Sequence, residues 1–500
     1  MRGFGKPAIS NWQRSFFAEC RLLSAECPSA AALVLYLFVP MLSPDRIHDA
    51  FSRIQKFSSA DEVEAIVAGG RSALTRFANN TIHQNVAEEG YVISIRVAMD
   101  GKTARATTNR FDDESLRRAV QSAEQIAKVQ QPDPDLLPAP SPEEAKETLP
   151  VERHFEATAA ITPETRAAAV EQIVAVAKKH KQTTAGIYSS SENLEALLNS
   201  RGLSRIHRQT NSEVSITMLA EDSSGWQKAN SPNVAHLDPK RLAEIAAEKA
   251  AQSSHPREVS PGKLTVVLEP AAVLDLLGFM FFDFGGTALL EQRSFLNNRL
   301  STRLFGENIT IHDDVYHPLQ SGAAFDGEGI PREGVTLVQD GVVRSLVYCR
   351  ATARRMRQSE LALKLGNVHP TGHGFPLPNE IGDAPMNIVV QGGNGAAKSV
   401  DEMIASTDRG ILVTRLWYIR EVDPYEKILT GMTRDGTFLI ENGKLAGGVR
   451  NFRFNQSLID MLQNVEMLGT AVRASGEESF DMVVPPMKVN GFNFTELTKF

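Results

Sequence analysis

The C-terminal half of the chain contains the stretch TGMTRDGTFLIENGK at residues 430–444, which decides the fold of this half. Residues 437–440 are mostly apolar and suited to a strand, and Asn442-Gly443 is a strong signal for a two-residue hairpin turn. Asp340-Gly341 marks a second turn of the same kind. Further strands are predicted at residues 335–338, 342–347 and 410–417. This half is therefore predicted to be rich in β-structure.

The first half of the chain alternates between helical and strand patterns. Residues 92–97 alternate apolar and polar side chains, and Asp100-Gly101 then turns the chain into residues 102–108. Helices are predicted at residues 113–129, from Thr162-Pro163 to about residue 180, and at residues 238–252. The predicted fold class is α+β, with an N-terminal α/β region of helices on an antiparallel sheet followed by a β-rich, barrel-like C-terminal domain.

Composition shifts predict the domain boundaries. Residues 130–150 contain six prolines, which block regular structure and indicate a linker. Ser260-Pro261-Gly262 interrupts the chain again. The predicted regions are an N-terminal extension at 1–41, an N-terminal domain at 42–129, the linker at 130–150, a central α/β region at 151–258 and the C-terminal domain at 259–500.

The N-terminal extension has three interpretations. Its apolar run at residues 30–39 is too short to span a bilayer as a helix, so no membrane span is predicted. The run has the length of the apolar region of an export signal. Alternatively, Met41 is the true start codon and residues 1–40 are an upstream addition, or the run is a docked helix.

Composition excludes some functions. The chain has 500 residues, of which 42% are hydrophobic and 23% charged, as in an ordinary soluble protein. The net charge of −7 disfavours direct binding of nucleic acid, because phosphates require a positive surface. Only three cysteines are present, too few for a disulfide framework, which favours a reducing compartment and predicts a cytoplasmic location.

The motif FDGEGIP at residues 325–331, together with residues 430–444, resembles the C-terminal domain of the TldD/PmbA family. The resemblance extends from about residue 58 to residue 492 and carries the family's label of gyrase modulator. In the catalytic, TldD-like members of this family, a His-Glu-x-x-x-His helix follows a short apolar strand, and a cysteine near the C-terminus completes a zinc site. The resemblance therefore raises the question of whether this chain has the same ligands.

The zinc ligands of the family are missing at both places where they are expected. The apolar strand corresponds to residues 264–268, but residues 276–283 then read LLGFMFFD, and leucine, methionine and phenylalanine offer zinc no usable donor. No histidines have the His-Glu-x-x-x-His spacing, and residues 474–477 contain no cysteine. We predict that the segment at 276–283 is a core helix and that this chain has no catalytic residues and no metal ligands.

This absence places the chain on the TldE/PmbA-like side of the family. The resemblance then implies a subunit that is not catalytic by itself, has no cofactor of its own and forms a hetero-oligomer with a zinc-bearing TldD-like partner. The pair would enclose and process unfolded peptides.

Two other functions stay open. His312, Asp314 and His317 are the densest potential ligands, and an autonomous metallopeptidase with a displaced metal site would need them. The other alternative takes the gyrase label literally as a protein-binding regulator.

Two groups of residues are candidates for contact with a peptide. Asp326 and Glu328 lie between glycines, which also fits a tight structural loop. Arg415, Trp417 and Arg420 lie in or just after one predicted strand and mix charge with aromatic surface. A half-exposed strand with polar positions accounts for this second group equally well.

Overall fold

The computed structural model describes residues 41–392 and 397–498. All but the last residue of the predicted extension at 1–41 lie outside this part. The architecture below is that of the described residues from Pro44 onward.

A six-stranded antiparallel sheet, here called the N-terminal sheet, runs through both predicted regions of the first half. Its strand order is β3-β2-β1-β4-β5-β6. The strands are β1 (Glu62–Ala78), β2 (Thr81–Met99), β3 (Lys102–Thr108), β4 (Thr183–Asn199), β5 (Ser204–Leu219) and β6 (Ser224–Ser231). Strand β1 pairs with β4 from Glu64–Asn199 to Phe77–Gly186, so the regions predicted at 42–129 and 151–258 share one sheet.

Helices cover this sheet, as predicted. The helices are α1 (Pro44–Phe57), α2 (Asp113–Val129), α3 (Pro142–Ala145), α4 (Glu156–Ala159), α5 (Pro163–Lys179) and α6 (Pro239–Gln252). Asp112, Thr162 and Asp238 each accept a hydrogen bond from a first-turn backbone N–H, which fixes where α2, α5 and α6 begin. Val170 of α5 and Ala246 of α6 pack on Phe77 and Val214 of the sheet. The short helix α3 lies within the predicted linker.

The C-terminal half contains a closed five-stranded barrel, which confirms the barrel-like prediction. Its closed order is β12-β7-β19-β15-β13, and β13 pairs back onto β12. The strands are β7 (Gly262–Leu268), β12 (Arg409–Asp423), β13 (Ile428–Glu441), β15 (Phe452–Ser457) and β19 (Met487–Leu497), with β14 (Lys444–Gly448) and β16 (Val465–Leu468) paired to its edge. Asn442 and Gly443 have φ of 51° and 73°, as the hairpin motif requires.

A second, smaller sheet lies in the same half and was not predicted. Its order is β10-β9-β8-β11-β18-β17. The strands are β8 (Ile311–Asp313), β9 (Val335–Gln339), β10 (Val342–Val343), β11 (Ile388–Val390), β17 (Val472–Ala474) and β18 (Met482–Val484). The helices of this half are α7 (Pro270–Leu277), α8 (Gly286–Leu290), α9 (Arg350–Arg357), α10 (Ala362–Leu365), α11 (Val400–Ala405) and α12 (Leu458–Gln463). Within residues 41–392 and 397–498, no helix is both long and apolar enough to cross a membrane.

Candidate functional site

Helix α7 lies where the family resemblance places the metal-binding helix. It follows β7 directly and ends at Leu277, after which Phe281–Phe284 forms a short 3-10 turn. The segment at 276–283 is therefore one helical end and one turn, not the single helix that was predicted. Leu276, Leu277 and Phe281 are fully buried, which confirms that they belong to the core. These side chains have no donor atom for zinc.

Asp275 is the one carboxylate of helix α7, and it is fully buried. Its Oδ1 accepts hydrogen bonds from the backbone N–H of Glu477 at 3.2 Å and of Glu478 at 2.9 Å. These residues belong to the loop at 475–481, the segment in which a C-terminal ligand would be sought. Asp275 therefore links α7 to this loop, and its oxygen faces amide protons rather than a metal ion.

Burial and the neighbouring charges of Glu478 and Glu477 raise the pKa of Asp275 from 3.8 to about 7. The hydrogen bond from the backbone N–H of Glu478 acts in the opposite direction and lowers the pKa. The sequence contained a signal for this residue, because a single acid interrupts the apolar run of helix α7. Sequence reasoning nevertheless missed it, since the partner amides lie two hundred residues away along the chain.

Other contacts hold the same loop from two sides. The Lys228 ammonium of β6 donates to the carbonyl of Gly476 at 2.9 Å and lies 3.5 Å from Glu213 of β5. On the barrel side, the backbone N–H of Tyr418 donates to Glu478 at 2.7 Å. The loop is thus fixed to the N-terminal sheet, to helix α7 and to β12.

The histidine and carboxylate side chains at residues 312–317 do not point toward one common metal position. His312 contacts the Thr336 hydroxyl at 3.1 Å, and Nδ1 of His317 accepts from the backbone N–H of Leu319 at 3.2 Å. Asp314 accepts from the backbone N–H of Tyr316 at 2.9 Å. Among the residues that the structure describes, no group of three or more His, Cys, Asp or Glu side chains is arranged to hold a metal ion.

Asp326 and Glu328 are buried, and their carboxyl groups accept hydrogen bonds from their own loop and from two other segments. Asp326 accepts hydrogen bonds from the backbone N–H groups of Glu328, Ile330 and Gly374, and Glu328 accepts from that of Arg350 at 3.0 Å. Burial raises the pKa of both carboxyls, and the charge of Asp326 helps to bring that of Glu328 to about 7. The two residues fix the loop, and their contact with a peptide stays a prediction.

Arg415, Trp417 and Arg420 are separated by the geometry of β12. The Arg415 guanidinium is buried, pairs with Asp435 and lies 4.8 Å from the Trp226 ring and 5.5 Å from the Trp417 ring. Arg420 is at the surface, where its guanidinium lies 4.3 Å from the Tyr418 ring. Arg415 therefore joins the barrel to Trp226 of β6, while Trp417 is half-buried and Arg420 is exposed. Contact of these three residues with a peptide stays a prediction.

Three models of one family match the chain in order. The models describe PmbA/TldA metallopeptidase domain 1, the central domain and the C-terminal domain, and they match residues 63–127, 138–253 and 261–496. Together they account for most of the chain.

Similar proteins agree with these matches. The metalloprotease PmbA of Escherichia coli O157:H7 is 22% identical over 418 residues, which are 80% of this chain and 85% of that protein. An uncharacterized protein of Methanocaldococcus jannaschii is 25% identical over 317 residues, which are 63% of this chain and 71% of that protein.

The fold is shared with solved structures. TldE from Thermococcus kodakarensis superposes with a TM-score of 0.77 at 20% identity, over 90% of this chain and 100% of that chain. A structure from Thermotoga maritima described as a putative modulator of a DNA gyrase also gives a TM-score of 0.77 at 20% identity, over 90% of this chain and 99% of that chain. On the three matched domains and the shared fold, the chain belongs to the PmbA/TldD metallopeptidase family.

Proposed function

We propose that this chain is a TldE/PmbA-like subunit that is not catalytic by itself and that works with a zinc-bearing TldD-like partner on unfolded peptides. One observation carries the proposal. At the place of the family's metal helix, this chain has buried leucine and phenylalanine, and its one carboxylate, Asp275, is hydrogen bonded to the backbone of the loop at 475–481. The residues do not fit a zinc ion, so the chemistry falls to the partner.

The arrangement supports a role as wall and interface. A buried carboxylate that accepts backbone N–H bonds, together with the Lys228 contacts, fixes the loop in which the family's C-terminal zinc ligand would be sought. The fold likeness to TldE is in keeping with this role. A cytoplasmic location is part of the same proposal and rests on the low cysteine content of the chain.

The test compares the purified full chain with the same chain co-purified with a TldD-like protein. We expect near-zero zinc and no hydrolysis of an unstructured peptide by the chain alone, because a catalytic zinc site survives gentle purification at near-stoichiometric occupancy. With the partner present, zinc and hydrolysis sensitive to a chelator should appear together. Elemental analysis and a fluorogenic peptide assay give the two measurements.

The opposite result would overturn the proposal. About one zinc per chain, with hydrolysis by the chain alone, would make this an autonomous metallopeptidase. In that case, replacing His312 and His317 by alanine should remove both the metal and the activity. Under the proposed function, neither replacement changes the activity of the complex, since both imidazoles have local hydrogen-bond partners.

A further inference from the structure

Strand β2 has a free edge over its first half. Its outer neighbour β3 pairs with it only from Ile93 onward, beginning at the pair Ile93–Thr108. Before that point, residues 81–90 pair with β1 on one side and, within residues 41–392 and 397–498, with no strand on the other. The backbone N–H and C=O groups that point away from β1 are therefore open to another strand.

The free edge is exposed on both faces of the sheet. Nine of the ten residues at 81–90 are exposed, and Val86 is half-buried. Helix α5 lies over the inner strands, where it packs on Phe77 of β1 and Tyr188 of β4. In the part of the chain that the structure describes, no second layer therefore covers this edge.

The sequence of the edge lacks the usual protection. Native proteins protect a free edge with proline, lysine, a short strand or a covering segment, but residues 81–90 contain neither proline nor lysine. One bulge is present, at His83, where the pairing with β1 passes from Gln84 to Ile82, and it leaves residues 84–90 as a regular stretch. An unprotected regular edge favours pairing with a strand of another chain.

The side chains of residues 84–88 complement a second copy of themselves. In an antiparallel pair, a two-fold axis at Val86 places Val86 opposite Val86, Gln84 opposite Glu88 and Asn85 opposite Ala87. Each Val86 lies beside the half-buried Leu74 of its own β1. A row of four apolar side chains would therefore cross the axis, two from each copy.

Gln84 and Glu88 provide the polar contacts on either side of this row. The Oε1 of Gln84 accepts from the Arg76 guanidinium at 3.3 Å, and its amide N–H groups have no acceptor among the described residues. The exposed carboxylate of Glu88 has no hydrogen bond or ion pair in the same part of the chain. The two-fold axis gives this amide a carboxylate twice, once on each side of the axis.

Other positions of the axis fit less well. A shift by one residue toward the C-terminus, to Ala87, places Val86 opposite Glu88, and a shift by two places Glu88 opposite Glu88. A shift by one residue toward the N-terminus places Glu88 opposite Ile82, and a shift by two brings the bulge at His83 next to the centre. The side chains therefore select the axis at Val86.

We propose that residues 84–88 of β2 pair with the same residues of a second copy of this chain, antiparallel about a two-fold axis at Val86. The pairing joins two N-terminal sheets into one. Main-chain hydrogen bonds supply affinity, and Val86 with the pairs of Gln84 and Glu88 sets the register. This edge has no part in the proposed function, so a complex with the TldD-like partner would contain two copies of this chain.

The test measures the mass of the purified full chain by sedimentation equilibrium, and we expect a dimer. Val86→Lys and Val86→Glu should each weaken dimerisation about 10-fold or more, because each places two like charges opposite one another at the axis. The matched controls Val129→Lys and Val129→Glu change an exposed valine at the end of α2 and should leave the dimer unchanged. Urea midpoints equal to that of the unaltered chain would show that the variants fold.

A mixture of the two Val86 variants gives the sharper measurement. An equimolar mixture of Val86→Lys and Val86→Glu should form dimers again, because the axis then brings a lysine opposite a glutamate. A contact in which this position meets a different residue of the second copy would not be restored by mixing, because neither variant supplies the other's missing charge there.

Three results would overturn the proposal. They are a monomeric unaltered chain, a dimer that Val86→Lys leaves intact, and a mixture that stays monomeric. If the unaltered chain is a monomer and Val86→Lys instead reduces co-purification of the TldD-like protein, the edge belongs to that subunit and the second copy is ruled out. Peptide hydrolysis with the TldD-like protein is measured separately, so failure of the dimer is distinguished from failure of the proposed function.

Discussion

The buried carboxyl of Asp275 predicts a specific dependence of stability on pH. Because its folded pKa is raised, the group favours the folded state fully at a pH below its unfolded pKa, and this contribution is lost as the pH rises through the folded value. The pKa rises from 3.8 to about 7. At about 1.4 kcal/mol per pKa unit, the complete loss is about 4 kcal/mol, and about 2.5 kcal/mol of it falls between about pH 5 and about pH 8.

Asp275→Asn removes this titration while keeping an oxygen for the backbone N–H of Glu478. The free energy of unfolding of the variant should therefore fall by about 2.5 kcal/mol less than that of the unaltered chain between about pH 5 and about pH 8. Urea unfolding at both pH values, followed by tryptophan fluorescence, measures the two differences. Asp460→Asn is the control, because it removes one negative charge at an exposed position of the same domain.

Equal pH dependence of Asp275→Asn and the unaltered chain would refute the reasoning. It would mean that the carboxyl is ionised throughout this range, held by the two backbone N–H groups, and that burial is not the dominant effect on its pKa. The control gives a second way to refute it. If Asp460→Asn reduced the pH dependence of the free energy of unfolding as much as is expected of Asp275→Asn, net charge rather than this buried carboxyl would set that dependence.

Two further predictions concern buried carboxyl groups and the side chains that pair with them. Lys427→Met should lower the free energy of unfolding by about 3–5 kcal/mol, because it leaves the carboxylate of Asp283 buried without its partner at 2.6 Å. Adding Asp283→Asn should recover most of the loss in urea unfolding, and no recovery would contradict the pairing. His373→Ala should lower the free energy of unfolding by about 3 kcal/mol, because it leaves the buried Asp313 without its hydrogen-bond partner at 2.9 Å. The exposed His369→Ala should change the free energy of unfolding by less than about 1 kcal/mol, and similar losses in both variants would contradict this difference.

Local signals predicted the elements well. Residues 113–129 form α2 as predicted, because the cap at Asp112 and the apolar spacing lie within one short segment. The hairpin turns at Asp340-Gly341 and Asn442-Gly443 likewise depend on the residues themselves, which accept positive φ. The long pairing of β1 with β4 was not predicted, since it joins segments on opposite sides of the proline-rich stretch at 130–150.

For the candidate site, the sequence predicted only that the family's zinc ligands are absent. The absence of zinc ligands at residues 276–283 follows from the letters alone, because leucine and phenylalanine cannot bind zinc in any fold. The sequence does not show that Asp326, Glu328 and Arg415 are buried, because burial depends on which segments pack together.

The sequence by itself therefore determined the family, the hairpin turns of the C-terminal half and the absence of zinc ligands at residues 276–283, all of which depend on side-chain chemistry within short segments. Only the tertiary structure decided that Asp275 bonds to the loop at 475–481 and that Arg415 is buried beside the Trp226 ring. Both facts depend on contacts between segments far apart in the chain. The free energy of such contacts is set by burial and geometry, which no local pattern records.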